Sequence, residues 1–309
     1  MKRLAYGTAA FLLATLPAII GLADDATTEN GKQEKPSAET YTLRYKFHAG
    51  ETLRWEVEHQ TLVRATYGGT TQSSEMQSQS NKAWRVIEVR PDGEATIEHR
   101  VEWINMRQKL SGSKEVCYDS RTDAKPPQGF QDAAKSVGVL LSTIRLDAVG
   151  KVVSLKRHNA DPKKQSSSQP TPQDDCWLTV PLPNKPVAVG DAWSVPQNIE
   201  VPVERVAVKK IKAVQRFLLE DVKTGVATIR VSTDILTPVT DPAIESQLVQ
   251  RDVSGKVRFD IDEGRVIGQQ MNIDKSVIGF HGDASSMHYV NRFSERLSSA
   301  VADTAEKTK

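Results

Sequence analysis

The sequence predicts a mainly β fold with one short helix in each half. We expect two-fold internally repeated antiparallel sheets, forming a half-barrel or a β-sandwich-like arrangement around the helices. The first observation is a turn and strand that occur twice, at residues 93–97 and 225–229, each after an apolar run. The second is a pattern of apolar, Arg, apolar and Asp residues before a Gly-containing turn, at 144–152 and 257–266. Both predict β-hairpins, and their common order predicts a structural duplication.

The first 23 residues predict a cleaved export signal. Lys2 and Arg3 precede an apolar run over residues 4–20, and Ala23 supplies a small residue at the cleavage position. Cleavage there predicts a secreted or periplasmic protein. A retained membrane anchor is the alternative, although a run of about 17 residues is at the lower limit for crossing a bilayer. No later stretch is apolar enough to span a membrane, so we expect peripheral membrane contact at most.

Composition divides the rest of the chain into five parts. Polar residues 24–40 predict a disordered leader, and the Pro- and Ser-rich stretch 157–176 predicts a linker. The linker separates a first β repeat at 41–156 from a second at 177–297, and a polar tail follows at 298–309. The sequence leaves open whether the two repeats form one continuous sheet or two lobes.

In the first repeat, strict alternation at 41–47 predicts a half-buried strand, and a second strand runs from about residue 52 to 67. The Ser-, Thr- and Gln-rich stretch 71–80 predicts an exposed strand arm, with a disordered loop as the alternative. The clearest amphipathic strand covers 95–103 and places His99 and Trp103 on one apolar face. A weaker strand at 107–118 and a short helix within 131–142 follow.

The second repeat shows the same order of motifs. Gly190 and Trp193 parallel Gly50 and Trp55, and Asp241 before a proline predicts the N-cap of a helix. Two closing strands are predicted at about 269–280 and 285–296.

Charge and cysteine content limit the function classes. Loss of Lys2 and Arg3 with the signal takes the formal net charge from +2 to about zero. Such a balance argues against nucleic acid as a partner, because phosphate binding needs a basic excess. Two cysteines, Cys117 and Cys176, predict a disulfide in an oxidising compartment, with two buried free thiols as the alternative.

The sequence shows no catalytic constellation, and we expect no metal and no cofactor. His59 and His99 lie on partly apolar faces and could meet as metal ligands or an acid–base pair; hydrogen-bonded structural histidines are the alternative. Trp55 and Trp103 could line a ligand groove, or act as core anchors. We therefore take Trp55, His59, His99 and Trp103 as candidate ligand-binding residues.

One motif resembles a known family. Residues 185–193, Lys-Pro-Val-Ala-Val-Gly-Asp-Ala-Trp, resemble a Lys-Pro-Val-x-Val-Gly-Asp-x-Trp signature found in an uncharacterised family of secreted bacterial proteins. The predicted layout is also weakly similar to LolA-like lipoprotein-carrier half-barrels. The first resemblance implies secretion but no activity, and likeness of layout alone does not imply a function.

Together these features predict a non-enzymatic, secreted or periplasmic protein. The main hypothesis is that a hydrophobic or lipid-like ligand binds in a groove between the repeats. The alternative is a structural or protein-interaction module of the cell envelope, without a small ligand, that offers strand 71–80 as a sheet edge.

Overall fold

The computed structural model describes residues 39–158, 179–203 and 207–298. The predicted export signal, nearly all of the predicted leader, linker and tail, and Cys176 lie outside these residues. The predictions for those segments therefore stay predictions.

The described residues form mainly β-strands. The strands are β1 (Thr40–Tyr41), β2 (Thr52–Tyr67), β3 (Thr70–Val89), β4 (Ala95–Leu110), β5 (Val116–Asp119), β6 (Leu140–Leu146), β7 (Val152–Arg157), β8 (Val187–Ala188), β9 (Ala192–Val203), β10 (Ala207–Lys223), β11 (Val226–Ile235), β12 (Ser254–Asp260), β13 (Arg265–Ile278) and β14 (Ser286–Leu297). The helices are α1 (Gln131–Lys135) and α2 (Pro242–Leu248), the latter extended by a 3-10 turn at Val249–Arg251. The prediction of a mainly β fold with one short helix per half is confirmed.

Twelve strands form one antiparallel sheet. Their order is β7-β6-β4-β3-β2-β14-β13-β12-β11-β10-β9, and β5 pairs with β4. The two halves meet where β2 pairs with β14, from Trp55 opposite Leu297 to Thr66 opposite Ser286. The halves therefore share one continuous sheet, and this sheet is open, with β7 and β9 as its end strands.

The sheet has one apolar face and one polar face. Side chains alternate along a strand, so in β2 Leu53 and Trp55 point into the core whereas Glu56 and Glu58 are exposed on the other side. We call these the core face and the outer face. Side chains on the core face that are almost completely buried include Ile97, Ile144, Phe217, Ile229 and Phe259. Each contributes roughly 1.5–3 kcal/mol to folding.

A short extended segment covers the core face. This segment, residues 41–47, is called the strap below. Its alternation is as predicted, because Leu43, Tyr45 and Phe47 are buried in the main core. The predicted strand is wrong beyond Tyr41, however, where strand β1 ends. Tyr41 pairs with Val187 in a separate two-stranded sheet, whereas residues 42–47 belong to no strand. Val180 and Leu182 pack into the same core.

The two hairpin turns with the shared Asp-containing pattern hold the strap. Tyr45 N donates a hydrogen bond to Ala148 O at 2.8 Å, in the turn between β6 and β7. Lys46 N donates to Gly264 O at 2.9 Å, in the turn between β12 and β13. The recurrent sequence pattern thus marks two turns that contact neighbouring residues of one segment.

Equivalent contacts occur where each half begins. Gly50 N donates to Val86 O at 2.9 Å, and Gly190 N donates to Leu219 O at 2.8 Å. In both halves the helix lies between the third long strand and the next hairpin. This arrangement is what a duplication would produce; common descent of the halves stays a prediction.

The helices differ from each other in how well the sequence predicts them. Asp241 Oδ1 accepts a hydrogen bond from Ala243 N at 2.8 Å, so the predicted N-cap of α2 is confirmed. The helix predicted within 131–142 ends at Lys135, and Leu140 already belongs to β6. Gly138, with φ +75°, lies between the two elements and allows the change of direction.

The stretch 71–80 is a strand but not a sheet edge. It belongs to β3, and from Ser74 onward β3 pairs with β2 on one side and β4 on the other. The loop alternative and the edge-strand alternative are therefore both wrong for residues 74–80. The end strands are protected in ways typical of edges: β7 has six residues, and β9 contains Pro196 and Pro202.

Candidate functional site

The two candidate tryptophans lie on opposite faces of the sheet. Trp55 is buried on the core face, and its Nε1 donates to Val266 O at 3.1 Å. Trp103 does not share the face of His99. An extra residue in β4 opposite Asn81 and Lys82 forms a β-bulge, which reverses the alternation and places Trp103 on the other face. There its ring lies 4.2 Å from the Arg121 guanidinium carbon.

The structure keeps the two candidate histidines apart. His59 on β2 lies opposite Ser78 of β3, whereas His99 on β4 lies opposite Trp84 of the same strand. Six residues along a strand correspond to about 20 Å. The metal or acid–base pairing considered from the sequence therefore does not form.

His59 takes part in a local polar cluster. Asn291 Nδ2 donates to His59 Nε2 at 2.7 Å, and the same amide donates to Tyr289 OH at 3.2 Å. Partial burial lowers the pKa of His59, and the Asn291 hydrogen bond opposes that shift. The cluster holds the imidazole by hydrogen bonds, and His59 also lines a depression of about 320 Å³.

A buried ion pair that the sequence did not indicate lies on the core face. Lys82 Nζ is 2.6 Å from Glu295 Oε2, and Gln269 Nε2 donates to Glu295 Oε1 at 2.9 Å. The ammonium group also lies 4.7 Å from the centre of the Trp55 ring and 5.1 Å from that of Trp84. These contacts supply the hydrogen bonds and charge compensation that a desolvated pair requires.

The space left beside this ion pair is small. A cavity of about 20 Å³ lies next to Lys82 and Glu295, and it is also lined by Tyr45 and Phe47 of the strap and by Val180. A volume of this order holds about one water molecule. Beside the ion pair, the core face is therefore filled mainly by the protein's own side chains.

His99, whose pKa the Lys82 charge influences, predicts that the stability of the protein depends on pH. Burial, with a smaller effect of the Lys82 charge, lowers the pKa of His99 to about 4. The unfolded imidazole has its ordinary pKa of about 6.5 and binds a proton first as the pH falls. The stability that this group contributes is thus fully present above pH ~6.5 and is lost towards pH ~4, by on the order of 3 kcal/mol.

A His99→Gln variant checks this expectation. We expect its urea midpoint to fall less between pH 7 and pH 4.5 than that of the wild type, because the titrating group is gone. Equal falls in the two proteins would show that His99 does not contribute.

Several large depressions lie on the outer face. Three adjoining depressions, of about 450, 320 and 510 Å³, follow β2 and β14. We call them together the outer groove. Neighbouring depressions share lining residues, namely Glu58, Gln60, Gln77, Gln270, Arg292 and Ser294. From Glu56 to Leu62 on β2 the groove is about 20 Å long.

The groove contains both paired and unpaired charges. Glu56 forms an ion pair with Arg296 at 2.7 Å, and Asp274 Oδ1 is within hydrogen-bond distance of His288 Nε2, at 2.8 Å. Arg292 and Arg107, by contrast, have no ion-pair partner among the described residues. Their guanidinium groups are available to an external acceptor.

Three further observations concern metals, membranes and the predicted disulfide. In the described ranges no three His, Cys, Asp or Glu side chains are grouped closely enough to hold a metal ion. None of the helices in the same ranges is long and apolar enough to cross a bilayer. Cys117 is exposed on β5, and because Cys176 is not described, the disulfide stays a prediction.

Comparisons with known proteins give only distant likenesses. No protein-family model and no curated protein matches the chain. A solved structure of lipid–protein interactions in lipovitellin is 12% identical, with a TM-score of 0.45, over 82% of this chain and 26% of that one. The chain thus spans about a quarter of the lipovitellin chain.

Two other solved structures are similar at still lower scores. The translocator domain of the autotransporter NalP from Neisseria meningitidis gives a TM-score of 0.27 at 6% identity, over 81% of this chain and 89% of that one. A DUF1329 family protein from Desulfovibrio piger gives a TM-score of 0.16 at 11% identity, over 80% and 88%. Scores at this level carry no argument about function, and the resemblance to the secreted family stays a prediction.

Proposed function

We propose that this protein is a non-enzymatic binding protein of the cell envelope or the secreted fraction, which holds an extended polar segment of a protein partner in the outer groove. One observation carries the proposal: beside the buried ion pair the core face is filled by the chain itself, whereas three adjoining open depressions lie on the polar face. The location rests on the predicted export signal alone.

The geometry favours the interaction hypothesis over a hydrophobic ligand between the repeats. A lipid-sized ligand on the core face would have to displace the strap, whose side chains Leu43, Tyr45 and Phe47 are buried there. Only about 20 Å³ is free beside the buried ion pair. The outer groove needs no such displacement.

The residue types of the outer groove support binding of a peptide-like ligand and a non-enzymatic role. Gln60, Gln77 and Gln270 carry amides that both donate and accept hydrogen bonds, as a peptide backbone does. Amides bind polar groups but do not transfer protons at neutral pH. These side chains therefore fit a binding role.

A second candidate function is binding of a hydrophobic ligand at another site. A depression of about 250 Å³ beside α2 is lined by Ile235, Pro238, Val239, Leu248 and Val249, with Lys275 at its border. This apolar lining would accept one small hydrophobic group. It is smaller than either large part of the outer groove.

Fluorescence anisotropy with labelled twelve-residue peptides tests the proposal. The set contains Gly, Ser and Gln with two Glu, with two Lys, or without charge. We expect saturable binding of at least one class, and loss of that binding in Ser294→Trp, because the indole would fill the junction of two depressions. Ser232→Trp is the matched control, since Ser232 is a half-buried serine on β11 that does not line the groove.

Two outcomes would overturn the proposal. One is that no peptide class binds to the wild type. The other is equal binding to the wild type and to Ser294→Trp. Saturable binding of a hydrophobic dye in the absence of peptide binding would favour the depression beside α2.

A further inference from the structure

One row of side chains crosses the outer groove. Its members face one another on consecutive strands in the order Asn272, Arg292, Gln60, Gln77 and Arg107, and we call it the amide–arginine row. Because they are direct cross-strand partners, all five project from the outer face. All five line the two depressions that meet at the centre of the groove.

The row differs in charge from the rows on either side of it. It contains two arginines and no carboxylate, whereas Glu58 and Glu75 belong to the neighbouring rows. Neither Arg292 nor Arg107 forms an ion pair within the described residues. A ligand that supplies two carboxylates would therefore give each guanidinium group a bidentate partner.

The spacing of the two arginines sets the spacing of those carboxylates. Arg292 and Arg107 are separated by three strand-to-strand steps, from β14 through β2 and β3 to β4. Three steps of about 4.8 Å give about 14 Å. In an extended peptide, residues four positions apart are separated by about 13 Å. Gln60 and Gln77, between the arginines, would then face the peptide backbone.

We propose that the outer groove selects an acidic polypeptide segment with two carboxylates four residues apart, bound across the strands by Arg292 and Arg107. This inference rests on the proposed function and names the charge pattern of its ligand. The segment lies on the face of the sheet, so it needs neither of the two end strands.

The test uses four twelve-residue peptides in an anisotropy titration. Two glutamates stand four residues apart in the first peptide and two residues apart in the second. The third carries lysines four apart, and the fourth is uncharged. We expect the first to bind tightest and to weaken as salt is added. Arg292→Gln and Arg107→Gln should each weaken its binding about tenfold, which is about 1.4 kcal/mol.

Arg64→Gln is the matched control. Arg64 is an exposed arginine of β2 outside the row, so this variant makes the same change of charge without touching the proposed contacts. We expect its affinity for the first peptide to equal that of the wild type.

The outcomes separate this inference from the proposed function. Peptide binding that Ser294→Trp abolishes, but that shows no preference for the first peptide or no dependence on Arg292 and Arg107, would overturn the inference and leave the groove as a binding site. Failure of all four peptides would overturn both. Polygalacturonate is the last probe: arginine-dependent binding of this polymer without peptide binding would assign the carboxylates to a glycan and overturn the peptide proposal.

Discussion

Replacing Glu295 with leucine should destabilise the protein by about 3–5 kcal/mol, because it leaves the Lys82 ammonium buried without its counter-charge. The exposed fractions of the two side chains are 11% for Lys82 and 5% for Glu295, so water cannot readily replace the lost carboxylate. Gln269 would also lose the acceptor for its amide. Urea unfolding followed by tryptophan fluorescence measures the loss.

The double variant Lys82→Met with Glu295→Leu is the control for this experiment. It removes both charges and keeps similar side-chain volumes, and buried pairs replaced in this way are often neutral or stabilising. We expect it to recover most of the stability lost in the single variant. A Glu295→Leu protein within about 1 kcal/mol of the wild type would show that Lys82 reaches solvent when it is unpaired.

Gly264→Ala should produce the second large effect. Gly264 has φ +62°, and a Cβ at this position would lie 2.5 Å from Lys46 Cγ and 2.6 Å from Lys46 N. A backbone nitrogen cannot move away without disturbing the hydrogen bond that it donates to Gly264 O. We expect a loss of about 2–5 kcal/mol, from the left-handed backbone and the overpacking together.

Gly112→Ala separates the two contributions. Gly112 also has a positive φ, of +73°, but a Cβ there would meet nothing within 4 Å. Its cost should be limited to the backbone term of about 1–2 kcal/mol. If both variants lost the same stability in urea unfolding, the close approach of the strap to the turn would not add to the cost of Gly264→Ala.

The regular parts of the sheet are those that short patterns predict well. The hairpin turns at Gly93 and Gly225, the alternation of β2 and the N-cap of α2 are local features, encoded within a few residues each. Their signals do not depend on where the rest of the chain lies. This is why the mainly β class could be predicted.

The errors arise where a single residue or a distant partner decides the outcome. One extra residue in β4 moves Trp103 to the opposite face, and alternation alone does not show where such a bulge occurs. The strap alternates like a strand, but it lies between turns about 100 and 220 residues away, at Ala148 and Gly264.

The site was harder to predict than the fold. Lys82 and Glu295 stand among polar residues in the sequence and are 213 positions apart. The amide–arginine row needs the register of β14 on β2, which joins the two ends of the described chain. Glutamine and arginine on strands carry no motif, so no local signal could have identified the groove.

The position of the strap has a consequence for biosynthesis. Residues 41–47 leave the ribosome before Ala148 and Gly264, which accept the backbone hydrogen bonds of Tyr45 and Lys46. A nascent chain can complete these bonds only after more than 200 further residues have been added. Until then Leu43, Tyr45 and Phe47 are without their native cover, and contacts of such long sequence separation form slowly. A chaperone that shields this stretch during elongation would keep these apolar side chains from promoting aggregation.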